Sequence, residues 1–326
     1  NKYVKISKKN IYENTISIIK YLKITKKDRA ITNMPYCYSY MLSILNTHLQ
    51  KGGTIVVSKK SIIQKEFWEI FNNFKLTSFN GVPYIYEIIN KIGLKRIFSK
   101  SLRYITQAGG KLDNKLSLKL AKLAIKKKIK FFSMYGQTEA SPRISFLEPK
   151  FSIKKNGSIG KALLNTKIWL QNGDEIIKKP YTKGSIYFSG KNVMMGYAKN
   201  YLDLLKNPRT QKKLNTGDIG YFDKEGFYYI TGRSKRYAKI YGNRIDLDEL
   251  EIKMKSKKLD IACVGKLNNV NVFYNDKKNL KKIENGLYSI LNKNLNAFNF
   301  LYIKNFPRTN NKKINYKFLS NFDDKL

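Results

Sequence analysis

The feature that most constrains the fold of this chain is a strand–helix–strand pattern near its middle. Leu102–Gln107 and Ile129–Met134 read as two buried strands. Between them, apolar residues recur at helical spacing: Leu112, Leu116, Leu120 and Leu123. Two strands joined in this way are expected to be parallel, with a right-handed crossover. The pattern therefore predicts an open α/β sheet.

Each predicted strand is followed by a loop with small or polar residues. Ala108–Gly110 follows the first strand, and Tyr135–Glu139 follows the second. Ligands of open parallel sheets bind beyond the carboxyl ends of the strands. Thr138 offers a hydroxyl there, and Glu139 a hard oxygen ligand for Mg²⁺ beside phosphate. Two ordinary tight turns are the alternative, and the glycine pair alone would favour that alternative.

The remaining sequence predicts three parts. Residues 1–157 alternate between helical and strand patterns, 158–235 contain short strands with turns such as Gly184–Ser189, and 236–326 read as a smaller α+β region. Ser61–Gln64 resembles a capping box. It predicts a helix with four residues on one face, which are Ile63, Phe67, Ile70 and Phe74.

Composition excludes several classes of site. His48 is the single histidine and lies in the apolar helical stretch Met41–Leu49, so we expect a structural role and no His-based triad or His-rich metal site. Cys37 and Cys263 lack the spacing of a disulfide framework or a zinc site, which favours the reducing cytoplasm. No apolar run approaches the roughly 20 residues that span a bilayer.

The formal net charge of +41 raises the alternative of a non-catalytic, basic nucleic-acid-binding protein. The positive charge is mainly lysine, is spread along the chain and accompanies no nucleic-acid-binding motif. We therefore expect a solvated lysine surface and no nucleic-acid partner. Weak attraction to anionic membranes is the next possibility.

Two further motifs carry charged residues. Asp218 precedes the turn Asp223–Gly226, and the hairpin would bring it near Arg233. The two side chains could form a surface ion pair, or they could bind the hydroxyl groups of a ribose. Pro307–Ile314 is a basic loop, in which one lysine could offset charge at a phosphoryl centre or could simply lie on the surface.

Taken in order, the motifs resemble the adenylate-forming superfamily of acyl-CoA synthetases, peptide-synthetase adenylation domains and luciferases. They are Tyr135–Glu139, Thr216–Asp218, Gly232–Arg233, Lys239–Glu251 and Pro307–Ile314. Five motifs in family order make coincidence a poor explanation. The resemblance implies a parallel α/β nucleotide-binding subdomain, a β-barrel-like subdomain and a small C-terminal α+β lid, which we assign to the three parts above.

The resemblance also implies roles for single residues. The nucleotide would be contacted by Gly109, Gly110, Tyr135 and Gly136, with Tyr135 stacked on the adenine. Thr138 would contact the α-phosphate, Glu139 would hold Mg²⁺, and Asp218 and Arg233 would bind the ribose. Lys313 would be the catalytic lysine between the substrate carboxylate and the α-phosphate. Gly242, in the loop that begins at Lys239, would line the thiol channel.

The implied reaction joins ATP and a carboxylic acid to give acyl-AMP and pyrophosphate. The acyl group would then pass to coenzyme A or an acyl-carrier-protein thiol, with an amine or amino sugar as the alternative acceptor. Peptide-synthetase domains anchor an α-amino group with an Asp, whereas Met34–Tyr40 contains no acidic residue. The sequence thus favours a plain acyl or aryl acid.

The chain departs from the family pattern at three places. Asn1–Tyr3 looks like the tail of the family's phosphate loop, so the chain alone is expected not to complete adenylation. Arg236 occupies the position of the usual hinge Asp. Lys312 replaces the Gly that precedes the catalytic lysine, and a stiffer loop is expected.

Overall fold

The computed structural model describes residues 3–205, 213–234, 236–240, 243–266, 269–291 and 295–322. The chain divides into two compact units, each treated separately below. Unit 1 consists of Asn1–Thr216 and Tyr221–Tyr229, and unit 2 of Gly217–Gly220 and Ile230–Leu326. The three-part division at residues 157 and 235 stays a prediction.

The first part of unit 1 alternates helices and strands. Its elements are β1 (Tyr3–Lys5), α1 (Lys8–Leu22), β2 (Arg29–Ile31), α2 (Ser39–Gln50), β3 (Thr54–Val56), α3 (Lys65–Asn73), β4 (Ser78–Gly81), α4 (Pro83–Ile92), β5 (Tyr104–Gln107), α5 (Asn114–Lys126), β6 (Lys130–Gly136), β7 (Arg143–Leu147) and β8 (Lys161–Ala162).

The predicted strand–helix–strand unit is present as β5, α5 and β6. These strands belong to a sheet of order β4-β5-β6-β7-β8, in which β5 pairs in parallel with both β4 and β6. Strand β6 then pairs antiparallel with β7. Helix α5 begins after Asp113, whose side chain accepts a hydrogen bond from Leu116 N, and it buries Leu116 and Leu120. The parallel pairing is as predicted.

The predicted face of helix α3 was wrong at its two ends, whereas Phe67 is buried and Ile70 packs against the core as predicted. Ser61–Gln64 forms a turn of its own, with Gln64 N donating to Ser61 O at 2.9 Å, and the helix begins only at Lys65. The buried residues of the helix are Phe67, Trp68 and Phe71, whereas Ile63 and Phe74 are exposed. The Trp68 indole donates to Ile62 O at 2.8 Å, which directs the helix toward the core through Trp68.

The next elements are mainly short strands, as the sequence predicts. They are β9 (Lys167–Asn172), β10 (Glu175–Ile177), β11 (Gly184–Ser189), β12 (Gly196–Ala198), α6 (Leu202–Leu205), β13 (Leu214–Phe222) and β14 (Tyr228–Arg233). Five of them form a sheet of order β10-β9-β11-β13-β14. Strand β12 pairs antiparallel with β1, which places Tyr197 opposite Val4.

Unit 2 has α+β architecture. After the parts of β13 and β14 that it contains, its elements are β15 (Tyr237–Ile240), β16 (Asn243–Asp246), α7 (Leu247–Ser256), β17 (Ile261–Lys266), β18 (Asn269–Tyr274), α8 (Leu280–Leu291), β19 (Phe298–Tyr302) and α9 (Tyr316–Ser320). Strand β18 pairs antiparallel with β17 and parallel with β19. Helices α7 and α8 contribute Met254 and Leu287 to its core.

Within the described ranges, none of the helices has the length and apolar character that crossing a bilayer requires.

Candidate active site

Two loops lie side by side at one edge of the α/β sheet. Strands β5 and β6 are parallel neighbours, with Gln107 paired to Ser133, so the loops that follow them share that edge. The Gln107 side-chain amide donates to Gly110 O at 2.7 Å, and the Ser133 hydroxyl donates to Gln107 Oε1 at 3.3 Å. The sequence predicted this juxtaposition, and these bonds brace the first loop on the strand beside it.

The first loop approaches a neighbouring aromatic side chain closely. Gly109 has φ +85°, and a Cβ atom there would lie 2.2 Å from the Tyr38 hydroxyl oxygen. Both the backbone conformation and the space therefore require glycine. Gly110 is less constrained, since its nearest neighbour would be Pro83 Cγ at 3.3 Å. The motif pattern did not single out Tyr38, although it lies in the compared stretch Met34–Tyr40.

The second loop reverses the chain between β6 and β7. A Cβ atom on Gly136 would lie 2.0 Å from Pro142 O, and Gln137 N donates to that same oxygen at 2.8 Å. A single 3₁₀ turn, Thr138–Ala140, fills the space between. Tyr135, at the end of β6, is only 9% exposed. Glycine at 136 thus allows the tight reversal that presents Thr138 and Glu139.

The side chains of this turn have partners that the sequence did not reveal. The Thr138 and Ser39 hydroxyl oxygens lie 3.2 Å apart. Tyr197 donates its hydroxyl to Glu139 Oε1 at 3.0 Å. Burial, the hydrogen bond to Glu139 and the charge of that carboxylate raise the pKa of Tyr197 to about 12. No motif marked Ser39 or Tyr197, because both contacts join segments far apart in sequence.

Glu139 suits Mg²⁺ as a single carboxylate ligand. Among the described residues, no group of three or more His, Cys, Asp or Glu side chains could hold a metal ion. Mg²⁺ beside a nucleotide commonly uses one or two carboxylates together with phosphate oxygens and waters. The donor set therefore fits a cation that arrives with the nucleotide, rather than a cage made of protein ligands alone.

In unit 2, Asp218 and Arg233 form the predicted pair. Arg233 Nε donates to Asp218 Oδ1 at 3.0 Å. The Asp218 carboxylate is buried, while the Arg233 side chain is 60% exposed. A buried carboxylate that accepts a directed hydrogen bond is a better-fixed acceptor than an exposed one. The geometry suits the predicted ribose contact, and the role itself stays a prediction.

Lys313 lies within electrostatic range of this pair. Protein atoms crowd its ammonium group and Arg233 repels it, both of which lower the pKa of Lys313, while Asp218 opposes the change. The side chain as a whole remains exposed to solvent. Thr309 N donates to Lys313 O at 2.8 Å, which closes the loop. Lys313 thus lies in unit 2 within electrostatic range of Asp218 and Arg233, and its catalytic role stays a prediction.

Lys312 adopts a conformation that favours glycine. Its φ is 62°, in the left-handed region that costs an L residue about 1–2 kcal/mol. The Gly of the family pattern would have this conformation without that cost. Lysine at position 312 therefore permits the same loop conformation as the Gly of the family pattern, but it makes the folded state less stable.

Two other predicted residues are described only partly or not at all. Lys239 lies in β15, paired with Arg244, and its side chain is outside the described part of the chain. Gly242 lies outside the described residues altogether. Their place in a thiol channel stays a prediction.

Arg236, at the predicted hinge position, is bound into unit 2. Its guanidinium contacts Asp248, donates to Glu251 Oε1 at 2.7 Å and to Cys263 O at 2.9 Å, and lies 3.6 Å from the centre of the Tyr316 ring. Burial raises the pKa of Asp248 to about 6, against the opposing charge of Arg236. The sequence pattern gave no indication of this network.

Comparison with known proteins identifies the family. Residues 1–198, more than half of the 326, match the family of the AMP-binding enzyme. The chain belongs to the AMP-binding enzyme family. The resemblance deduced from the five motifs is thereby confirmed.

Curated relatives of this AMP-binding enzyme are CoA ligases. It is 28% identical to oxalate–CoA ligase of Saccharomyces cerevisiae, over 78% of this chain and 46% of that protein. It is 31% identical to the probable 4-coumarate–CoA ligase 1 of Dictyostelium discoideum, over 81% of this chain and 48% of that protein. The chain thus spans about half the length of the curated relatives it matches.

Solved structures confirm the predicted adenylate-forming fold. The o-succinylbenzoate CoA synthetase of Bacillus subtilis, in complex with its acyl-adenylate intermediate, superimposes with a TM-score of 0.80 at 23% identity. The match covers 98% of this chain and 66% of that one. The same enzyme with ATP and a magnesium ion also gives a TM-score of 0.80, at 24% identity.

Proposed function

We propose that the protein containing this chain activates a carboxylic acid with ATP, giving acyl-AMP and pyrophosphate, and then transfers the acyl group to a thiol. The observation that supports the proposal most strongly is the turn after β6, which presents Thr138 and Glu139 beside the Gly109 loop. This turn lies in the part of the chain that matches the AMP-binding enzyme family. The curated relatives are named as CoA ligases, and one solved neighbour holds an acyl-adenylate.

Charge neutralisation is the main task in the first half-reaction. A carboxylate that attacks the α-phosphate brings two anions together. Mg²⁺ bound at Glu139 would offset part of the phosphate charge. Lys313 supplies a second positive charge, which would lie between the substrate carboxylate and the α-phosphate, and Thr138 offers its hydroxyl to the same phosphate.

The remaining assigned residues bind rather than react. Asp218 and Arg233 would hold the ribose, because a buried carboxylate is a suitable acceptor for vicinal hydroxyls. The adenine would lie against the two loops, contacting Gly109, Gly110, Tyr135 and Gly136. The residues from Lys239 to Gly242 would line the approach of the thiol.

The names of the relatives favour coenzyme A as the thiol, with an acyl carrier protein as the related acceptor. They also favour a small or aromatic acid, in keeping with the absence of an acidic residue from Met34–Tyr40. We place the reaction in the cytoplasm. Its support is that both cysteines are free, Cys37 exposed and Cys263 buried.

The test is the acid-dependent exchange of labelled pyrophosphate into ATP by the full-length protein that contains this chain. A panel of short aliphatic, dicarboxylic and aryl acids should include at least one that supports exchange, and addition of coenzyme A with that acid should then release AMP. Release of ADP and phosphate instead, or no exchange with any acid, would contradict the proposal.

A further inference from the structure

A segment distant in sequence holds the turn that carries Glu139. Asn192–Tyr197, here named the clamp segment, lies against Gly136–Arg143 within unit 1. The Asn192 side chain is 2% exposed, and its amide donates to Ala140 O at 2.6 Å and to Arg143 O at 2.9 Å. A buried amide that satisfies two carbonyl groups fixes the part of the turn that follows Glu139.

The same segment contacts Glu139 twice. Met194 N donates to the Glu139 backbone carbonyl at 2.8 Å, and the Tyr197 hydroxyl donates to the Glu139 carboxylate at 3.0 Å. Tyr197 is itself fixed by strand pairing, because β12 pairs with β1 and places it opposite Val4. Both the backbone and the carboxylate of Glu139 are therefore held by one element.

We propose that Tyr197 is a positioning residue, whose hydroxyl orients the Glu139 carboxylate toward Mg²⁺ while the clamp segment fixes the backbone beneath it. The inference rests on the proposed function. A glutamate side chain has three rotatable bonds, and holding one oxygen restricts the direction of the other. Hydrogen bonds to ligating carboxylates typically affect metal affinity by about 10–100-fold.

A merely structural tyrosine would behave differently. Tyr197 is 42% exposed, so loss of its hydroxyl should leave the fold intact. Tyr197→Phe keeps the ring and removes the hydroxyl that donates to Glu139. If the contact were simply packing, the requirement for Mg²⁺ would not change.

The experiment is calorimetric titration of the full-length protein with ATP over a range of Mg²⁺ concentrations, and again in EDTA. Tyr197→Phe should raise the Mg²⁺ concentration for half-maximal enhancement of binding by about tenfold, the lower end of the range for such partners. Affinity in EDTA should be unchanged. The matched control is Tyr201→Phe, a neighbouring tyrosine that is 73% exposed, which should alter neither value.

Two results would overturn the positioning role. One is an unchanged Mg²⁺ dependence in Tyr197→Phe, and the other is an equal loss of affinity with and without Mg²⁺. If the unsubstituted protein bound no ATP under any condition, the proposed function would fail, and this inference with it.

Discussion

Gly136→Ala should disrupt the Thr138–Glu139 turn more than any comparable substitution in the two loops. The added Cβ would lie 2.0 Å from Pro142 O, whereas real Cβ contacts are essentially never closer than 3.0 Å. The two groups must therefore separate by about 1 Å. The acceptor of Gln137 N is the same oxygen, at 2.8 Å, so the separation stretches that bond beyond hydrogen-bonding range.

The magnitude follows from these two effects. A lost backbone hydrogen bond costs about 1 kcal/mol, and overpacking against backbone about 1–3 kcal/mol. The sum, about 2–4 kcal/mol, corresponds to a fall in Tm of roughly 5–15 °C for a unit of about 200 residues. Because Thr138 and Glu139 move with the turn, affinity for Mg²⁺–ATP should fall about tenfold or more.

Thermal unfolding and calorimetric titration with Mg²⁺–ATP test this, with Gly110→Ala as the matched control. At Gly110 the nearest atom to an added Cβ would be the flexible Pro83 ring at 3.3 Å, so the loss of stability should stay below about 1 kcal/mol. Equal Tm values for the two variants would refute the reasoning about the turn.

The other predictions concern unit 2. Lys313→Ala should reduce the rate of pyrophosphate exchange by about 10²-fold or more, because one preorganised charge is lost. Lys312→Ala should reduce this rate only slightly, and equal effects of the two substitutions would show that Lys313 is an ordinary surface lysine. Lys312→Gly should raise stability by up to about 1 kcal/mol, measured by urea unfolding, because φ at 312 is 62°; a loss of stability would argue against that conformation. The pKa of Asp248, about 6 when folded, exceeds its unfolded value near 4, so the folded state binds more protons and stability falls as pH rises from about 4 to 6. Asp248→Asn should reduce this loss of stability with rising pH. The measurement is amide hydrogen exchange in β17 and β18, relative to the unsubstituted protein at each pH, and an unchanged pH dependence would contradict the raised pKa of Asp248.

Local patterns and ordered motifs were enough to predict part of this site. The parallel pairing of β5 with β6 follows from a strand–helix–strand pattern, and Asp218 meets Arg233 because a short hairpin joins their strands. In each case the chain between the partners is short or regular.

Contacts between segments that are far apart in sequence could not be predicted from local patterns. Tyr197 reaches Glu139 from 58 residues away, through a strand pairing with β1 that no motif marks. The buried face of α3 depends on where the helix begins, and a preceding turn at Ser61 resembled its cap. Arg236 differs from the hinge residue of the family pattern. Its partners Glu251 and Tyr316 lie on α7 and α9, so they could not be predicted before the packing of these helices was known.

The most direct test of the central claim is calorimetric titration of the 326-residue chain with a non-hydrolysable acyl-AMP mimic. Such a mimic carries no pyrophosphate, so its AMP part would be held by the residues proposed to contact adenine, ribose and the α-phosphate. We expect saturable 1:1 binding that AMP displaces and that Asp218→Ala weakens more than Lys313→Ala does. Absence of binding, or a larger loss from the lysine substitution, would contradict it.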